Sequence, residues 1–167
     1  IAAPTLASSS PADDATGVAV NSNIVLTFNE TVQAGTGNIT LFKSDNTSVE
    51  VFDVTTDVTV SGTTVTLDPA SDLDSLQGYY VQVASTAVED TSNNAYAGIG
   101  DTTTLSFTAA DVAAPTLASS SPADDATGIA VNSNIVLTFN ETVQAGTGNI
   151  TLFKSDNTQV EVFDVTT

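Results

Sequence analysis

The chain has no cysteine, histidine, methionine, tryptophan or arginine, and its only side-chain cations are Lys43 and Lys154. Each absence removes a class of chemistry. Without Cys or His there is no disulfide framework, no thiol nucleophile, no Ser-His-Asp triad, no ordinary zinc site and no haem ligation. Two lysines against 20 Asp plus Glu leave a formal net charge of −18 over 167 residues. Such a chain cannot neutralise a phosphate backbone, so nucleic acid is not expected as a partner, and an anionic membrane surface is disfavoured for the same reason. No apolar run approaches the roughly 18–20 residues of a membrane span, and no basic segment followed by an apolar one opens the sequence. Direct membrane insertion is therefore not expected, and any secretion signal is expected outside these residues.

High charge with low hydrophobicity would indicate disorder. Here apolar residues make up 41%, and they are Val, Ile, Leu and Phe in a regular pattern. The composition reads as a folded β protein with an acidic surface.

A long internal repeat organises the chain. Residues 2–56 and 113–167 carry the same text apart from Val18 against Ile129 and Ser48 against Gln159, and Ile1 corresponds to Val112. The period is 111 residues, giving one full repeat over 1–112 and the first half of a second over 113–167. Periods of about 20–50 residues mean solenoids; one near 110 means a string of whole domains.

Within the repeat the apolar period is two. Ile24, Leu26 and Phe28 fall on one face of a strand, Val25 and Thr27 on the other. The same alternation groups Ile39 with Leu41, Val65 with Leu67, Tyr79 with Val81 and Val83, and Leu105 with Phe107. These twelve side chains are the expected core. Val49 and Val51 alternate with Glu50 and Phe52. Turn formers separate the runs at Ser10–Asp14, Gly35–Gly37, Ser44–Asn46, Ser61-Gly62, Asp68-Pro69 and Ser92–Asn94. Only Ser71–Leu76 suggests a helical turn. About seven short strands in one repeat predict an all-β, two-sheet Greek-key sandwich.

The string Ser10-Pro11-Ala12-Asp13-Asp14-Ala15-Thr16-Gly17-Val18, then Asn23-Ile24-Val25-Leu26-Thr27-Phe28-Asn29-Glu30, resembles the bacterial Ig-like domain family first named from S-layer proteins. Leu76-Gln77-Gly78-Tyr79-Tyr80-Val81-Gln82-Val83, with Val88-Glu89-Asp90 and Asn93-Asn94, extends the likeness over the whole repeat. The resemblance implies an Ig-like β-sandwich, occurring in tandem in S-layer proteins, giant secreted adhesins and multidomain extracellular enzymes. Gly78-Tyr79-Tyr80 also resembles a tyrosine corner, in which a hydroxyl pins the loop before a strand.

Carboxylates are the only plentiful reactive groups. Paired acids can run a glycosidase, but nothing here builds the apolar cleft with aromatic platforms that such a site needs, so no enzyme activity is expected. Acids also solvate a surface and discourage edge-to-edge pairing. Calcium is the sharper reading, since it takes six to eight oxygen ligands from Asp, Glu, Asn and backbone carbonyls. In an Ig-like sandwich the start of the first strand, the loop after Phe28 and the loop after Asp90 meet at one pole. The candidate Ca²⁺ ligands are accordingly Glu30, Asp90, Asn93, Asp101 and Asp111, with Glu141 as the counterpart of Glu30 in the second repeat. Asp13, Asp14, Asp45, Asp68, Asp72 and Asp74 are expected at the opposite pole.

The leading expectation is an extender module of a long extracellular bacterial surface protein, an adhesin or filament, stiffened by Ca²⁺ at domain poles and junctions. The alternatives are a self-assembling S-layer or filament subunit, or a glycan- or protein-binding module. Exposed aromatics would mark the latter, and Tyr80, Tyr96, Phe42 and Phe52 form no evident platform. The expected partners are neighbouring repeats. If the chain ends at Thr167, the half repeat 113–167 would leave Ile135, Leu137, Phe139, Ile150 and Leu152 open to water, and strand exchange to a homo-oligomer or filament is expected.

Overall fold

The period-two runs form strands in the computed structural model, which describes residues 2–166; Ile1 and Thr167, the first and last positions of the two repeats, lie outside the described residues. The chain divides into two compact units, 1–113 and 114–167.

In the first unit a four-stranded sheet has the order β1-β3-β8-β7, and a five-stranded sheet the order β2-β11-β9-β5-β6. The strands of the first are β1 (Leu6–Ser10), β3 (Ile24–Phe28), β7 (Val58–Ser61) and β8 (Thr64–Leu67). Those of the second are β2 (Ala15–Val18), β5 (Asn38–Lys43), β6 (Ser48–Asp53), β9 (Gly78–Val83) and β11 (Ser106–Ala109). A third, two-stranded sheet joins β4 (Val32–Ala34) to β10 (Val88–Asp90). The extra strands beyond the seven expected are short segments whose pairing partners are distant in sequence. The clearest is β2, which runs parallel to β11 with Ala15 opposite Phe107 and Val18 opposite Ala109.

All twelve expected core residues are buried and belong to one cluster. The register shows why. Ile24 lies opposite Leu67 and Leu26 opposite Val65 in one sheet; Ile39 lies opposite Val83 and Leu41 opposite Val81 in the other. Side chains directly opposite across a ladder share a face, so each pair buries together. In β6 the inward residue is Phe52, opposite Ile39, while Val49 and Val51 face water.

The aromatics are structural. Tyr96 packs edge-on to Phe28 at 5.2 Å between ring centroids, and Tyr80 stacks on Phe42 at 5.1 Å. The Tyr80 hydroxyl donates to Asn46 Oδ1 at 2.9 Å. With Phe52, Tyr80 and Tyr96 all buried, they offer no platform. The tyrosine corner is present: the Tyr79 hydroxyl accepts the Asp74 backbone N–H at 2.7 Å. Ser71–Leu76 is not helical. Leu73 is drawn into the core, its N–H bonded to the Val20 carbonyl at 2.7 Å, and Leu76 sits at φ +57°. Burying Leu73 and pinning Asp74 leaves no continuous i to i−4 ladder for a helical turn.

The second unit repeats the sequence of the first half without its structure in full. β12 (Leu117–Ser121) pairs with β13 (Val136–Phe139), and β14 (Asn149–Phe153) with β15 (Gln159–Asp164). The registers copy those of β1 with β3 and β5 with β6 residue for residue. The counterparts of β2 and β4, residues 126–129 and 143–145, form no strand, because β11 and β10, which pair with β2 and β4, belong to the second half of a repeat. Ile135, Leu137 and Ile150 are 54%, 38% and 49% exposed, where Ile24, Leu26 and Ile39 are fully buried.

This contrast supplies an internal control. Phe28→Ala is expected to lower the stability of the first unit by about 3–5 kcal/mol, the usual cost of truncating a buried Phe. Phe139→Ala, the same change in the same local text, should leave that unit's urea or thermal transition within about 0.5 kcal/mol. Equal effects would contradict the burial difference.

Candidate functional site

Among the described residues Asp90 is the one buried charged side chain, 2% exposed. It ends β10, opposite Val32 of β4. Its Oδ1 accepts the backbone N–H of Ser92 (2.8 Å) and of Asn94 (2.9 Å), and its Oδ2 accepts the Asn94 side-chain amide at 2.8 Å. The Asp90 N–H in turn donates to the Asn94 carbonyl at 3.0 Å. The loop is wound around the carboxylate, with Asn93 at φ +64°, a conformation Asn tolerates better than most residues. The Asn94 hydrogen bonds, side chain first and then backbone, outweigh burial and hold the Asp90 carboxyl below its ordinary range.

Asn93 is brought close by. Its Oδ1 accepts Gln33 Nε2 at 3.1 Å, and the same nitrogen donates to Glu89 Oε1 at 2.9 Å. Glu30 is half-buried two residues before Val32, beside this cluster in sequence. Asp101 closes the following loop. It accepts the N–H groups of Thr103 (2.8 Å) and Thr104 (2.7 Å) and the hydroxyls of both threonines. Three of these donors converge on Oδ1, and the Thr104 hydroxyl donates to Oδ2. These bonds, the Thr103 N–H foremost, lower its pKa to about 2. Tyr96 feels the same charge: burial first, then Asp101, pushes its phenol up.

Asp111 lies at the other end of the unit, where the chain leaves it. Its Oδ1 accepts the Ser75 hydroxyl and the Ala113 N–H, both at 3.1 Å. Glu141 is half-buried in the second unit. It follows Asn140, whose Oδ1 accepts the Thr116 N–H at 2.6 Å, as Asn29 accepts that of Thr5 at 2.7 Å.

Within the first unit the structure thus joins Asp90 to Asn93, sets Glu30 nearby in sequence, and gives Asp101 and Asp111 separate hydrogen-bond partners, while Glu141 belongs to the second unit. Among the described residues no group of three or more carboxylates is placed to hold a metal ion. Asp90 and Asp101 each turn Oδ1 toward two or more donors and Oδ2 toward one. Both loops are clamped by their own carboxylates.

The expectation about metal ligands overlooked a motif that is plain in the sequence. Asp45-Asn46-Thr47, Asp53-Val54-Thr55, Asp101-Thr102-Thr103, Asp156-Asn157-Thr158 and Asp164-Val165-Thr166 each turn the carboxylate onto the N–H two residues on, at 2.8–2.9 Å. Asp90-Thr91-Ser92 does the same with serine. This is the Asx-turn, in which a short acid replaces a backbone acceptor. At Asp45, Asp53, Asp156 and Asp164 the threonine hydroxyl, then its N–H, lowers the carboxyl pKa. Asp13 reaches further: its Oδ1 accepts the Ser106 N–H at 3.0 Å, and the Asp14 N–H donates to the Ser106 carbonyl at 2.8 Å. These two bonds tie the start of β2 to β11.

A group whose pKa falls on folding favours the folded state above its unfolded value and loses that contribution as pH drops through the folded one. For Asp101 the window runs from about 4 down to about 2. The amide shifts of Thr103 and Thr104, followed by NMR, should titrate with a midpoint near 2. Asp101→Asn should remove that step and flatten the loss of stability between pH 4 and 2. A midpoint at the ordinary 3.8 would mean that the turn is not clasped.

The family described as bacterial Ig-like domain matches residues 1–109 and again 111–167. Among solved structures, CopC from Methylosinus trichosporium OB3b aligns at 15% identity over 66% of this chain and 97% of its own, with a TM-score of 0.43. The S-layer protein rSbsC(31-844) aligns at 16% identity over 95% of this chain, with a TM-score of 0.44; the matched part is 19% of that protein. No curated protein matches. With the family match running through the full repeat and restarting in the half repeat, the chain belongs to the bacterial Ig-like domain family.

Proposed function

We propose that this chain is a piece of an extender: a non-enzymatic tandem module of a long extracellular bacterial surface protein, an adhesin or filament. One observation carries the reading. Thr5, where the chain comes in, is bonded to Asn29 at the end of β3. Ala110, where it goes out, is bonded to Val18 and Leu76, near Leu73 and Val20 before the start of β3. The polypeptide therefore traverses the sandwich from one end to the other. In the proposed array, modules entered at one end and left at the other would add length along the strand direction. The near-identity of the two copies supports an array as the working object. The burial of Tyr80, Tyr96 and Phe52 weighs against a glycan-binding face.

Calcium belongs to the same proposal in a looser form. The support is the net charge of −18 with two lysines to offset it, which makes self-repulsion large and any bound or condensed divalent cation stabilising.

Two measurements test this. In small-angle scattering, tandem arrays of one to four repeats should lengthen linearly, by about 35 Å per repeat, the diameter of a domain of this size. A maximum dimension that levels off would remove the extender reading. Separately, millimolar Ca²⁺ should raise the thermal midpoint above that in EDTA at matched ionic strength. Coincident melts would take calcium out of the proposal and leave the extender standing.

A further inference from the structure

The segment that leaves the first unit is tied back onto it by one hydroxyl. Ser75 Oγ accepts the N–H of Val112 at 2.9 Å and of Ala113 at 3.3 Å, and it donates to Asp111 Oδ1 at 3.1 Å. A hydroxyl offers one proton and two lone pairs, so these three bonds use it in full. Asp111 Oδ1 accepts the Ala113 N–H as well, at 3.1 Å. Val112 is 62% exposed and Ala113 is exposed, so hydrogen bonds hold this stretch where burial does not.

Ser75 is itself fixed on both sides. Before it, the Asp74 N–H is bonded to the Tyr79 hydroxyl, and the Asp74 carboxylate pairs with Lys43 Nζ at 2.7 Å. After it, the Leu76 N–H is bonded to the Ala110 carbonyl at 3.2 Å. Leu73, two residues upstream, is buried in the core. The tyrosine corner therefore presents the Ser75 hydroxyl at a set place.

We propose that Ser75 is a latch that carries the rigidity of the sandwich out along the linker to Ala113, leaving a joint of one residue, Ala114, before the next repeat. Pro115 follows. Its counterpart in the first unit, Pro4, is fully buried, and Thr5 after it is bonded to Asn29. Thr116 makes the same bond to Asn140. The proline position thus belongs to the repeat that it opens. A residue before proline is confined to extended conformations, and proline fixes its own φ near −65°. Even the single joint residue therefore turns within narrow limits. As a source of stiffness in an array the latch rests on the extender reading; as a set of bonds it does not.

The test follows amide exchange residue by residue, by NMR, in the intact 167-residue chain. Val112 and Ala113 should exchange more slowly than Ala114, and Ser75→Ala should speed both by about tenfold, the scale of one lost hydrogen bond. Ser75→Thr, which keeps the hydroxyl, should retain the protection. Asp111→Ala should speed Ala113 more than Val112, since the carboxylate accepts only the former. In Ser75→Ala the Asp74 N–H should stay protected, and the first unit's thermal midpoint should move by less than about 2 °C. The latch is overturned if Ser75→Ala leaves Val112 and Ala113 unchanged, or if Asp74 loses its protection along with them. Scattering on tandem arrays tests the stiffness separately. Ser75→Ala arrays should fall short of the linear growth of the native ones, and equal growth would overturn the joint. Native arrays that level off while Val112 and Ala113 stay protected would remove the extender reading and leave the latch standing.

Discussion

A strand with one apolar face needs a second surface of the same period to cover it, and in this repeat the two halves of the sequence do so for each other. Ile24 and Leu26 meet Leu67 and Val65; Ile39 and Leu41 meet Val83 and Val81. The cost of leaving such a face in water is large, at about 25 cal/mol per Å². The rest of the domain follows from that closure. The short strands β2 and β4 exist where the second half gives them β11 and β10 to pair with, and the same residues in 126–129 and 143–145 remain irregular. Local propensity is nearly identical in the two copies, so the difference is tertiary.

With the core so economical, loops need their own fixation. There are no disulfides and, among the described residues, one ion pair between side chains, Lys43 with Asp74. The acids do the work instead. Each Asp-x-Thr or Asp-x-Ser turn satisfies backbone N–H groups that a tight loop would otherwise leave to water, and each is strongest while the carboxylate is ionised. An excess of negative charge is thus partly a consequence of how the turns are made.

Much of this was legible beforehand. Period-two alternation located all twelve core residues, and Gly78-Tyr79-Tyr80 signalled the hydroxyl that pins Asp74. Three kinds of feature were not. Strands of three or four residues such as β4 and β10 leave no periodic trace, and they form only when a partner distant in sequence arrives. The inward turn of Phe52 depended on its register against Ile39. The acids were read by the pole of the sandwich they would occupy, a long-range argument, whereas Asp90 and Asp101 act on residues two to four positions away. Asp111 is held at the far end by Ser75 and Ala113, a pairing that spacing alone does not reveal.

The parallel pairing of β2 with β11 bears on how such a module would carry tension. A pull on the incoming chain is transmitted through β1 toward β2, and a pull on the outgoing chain acts on β11. Two parallel strands drawn from opposite ends slide past one another. Their hydrogen bonds lie across the direction of force, so they share the load in shear and must fail together. Peeling, by contrast, breaks such bonds one after another. The tie from Asp13 and Asp14 to Ser106 sits at the start of that ladder, where sliding would begin.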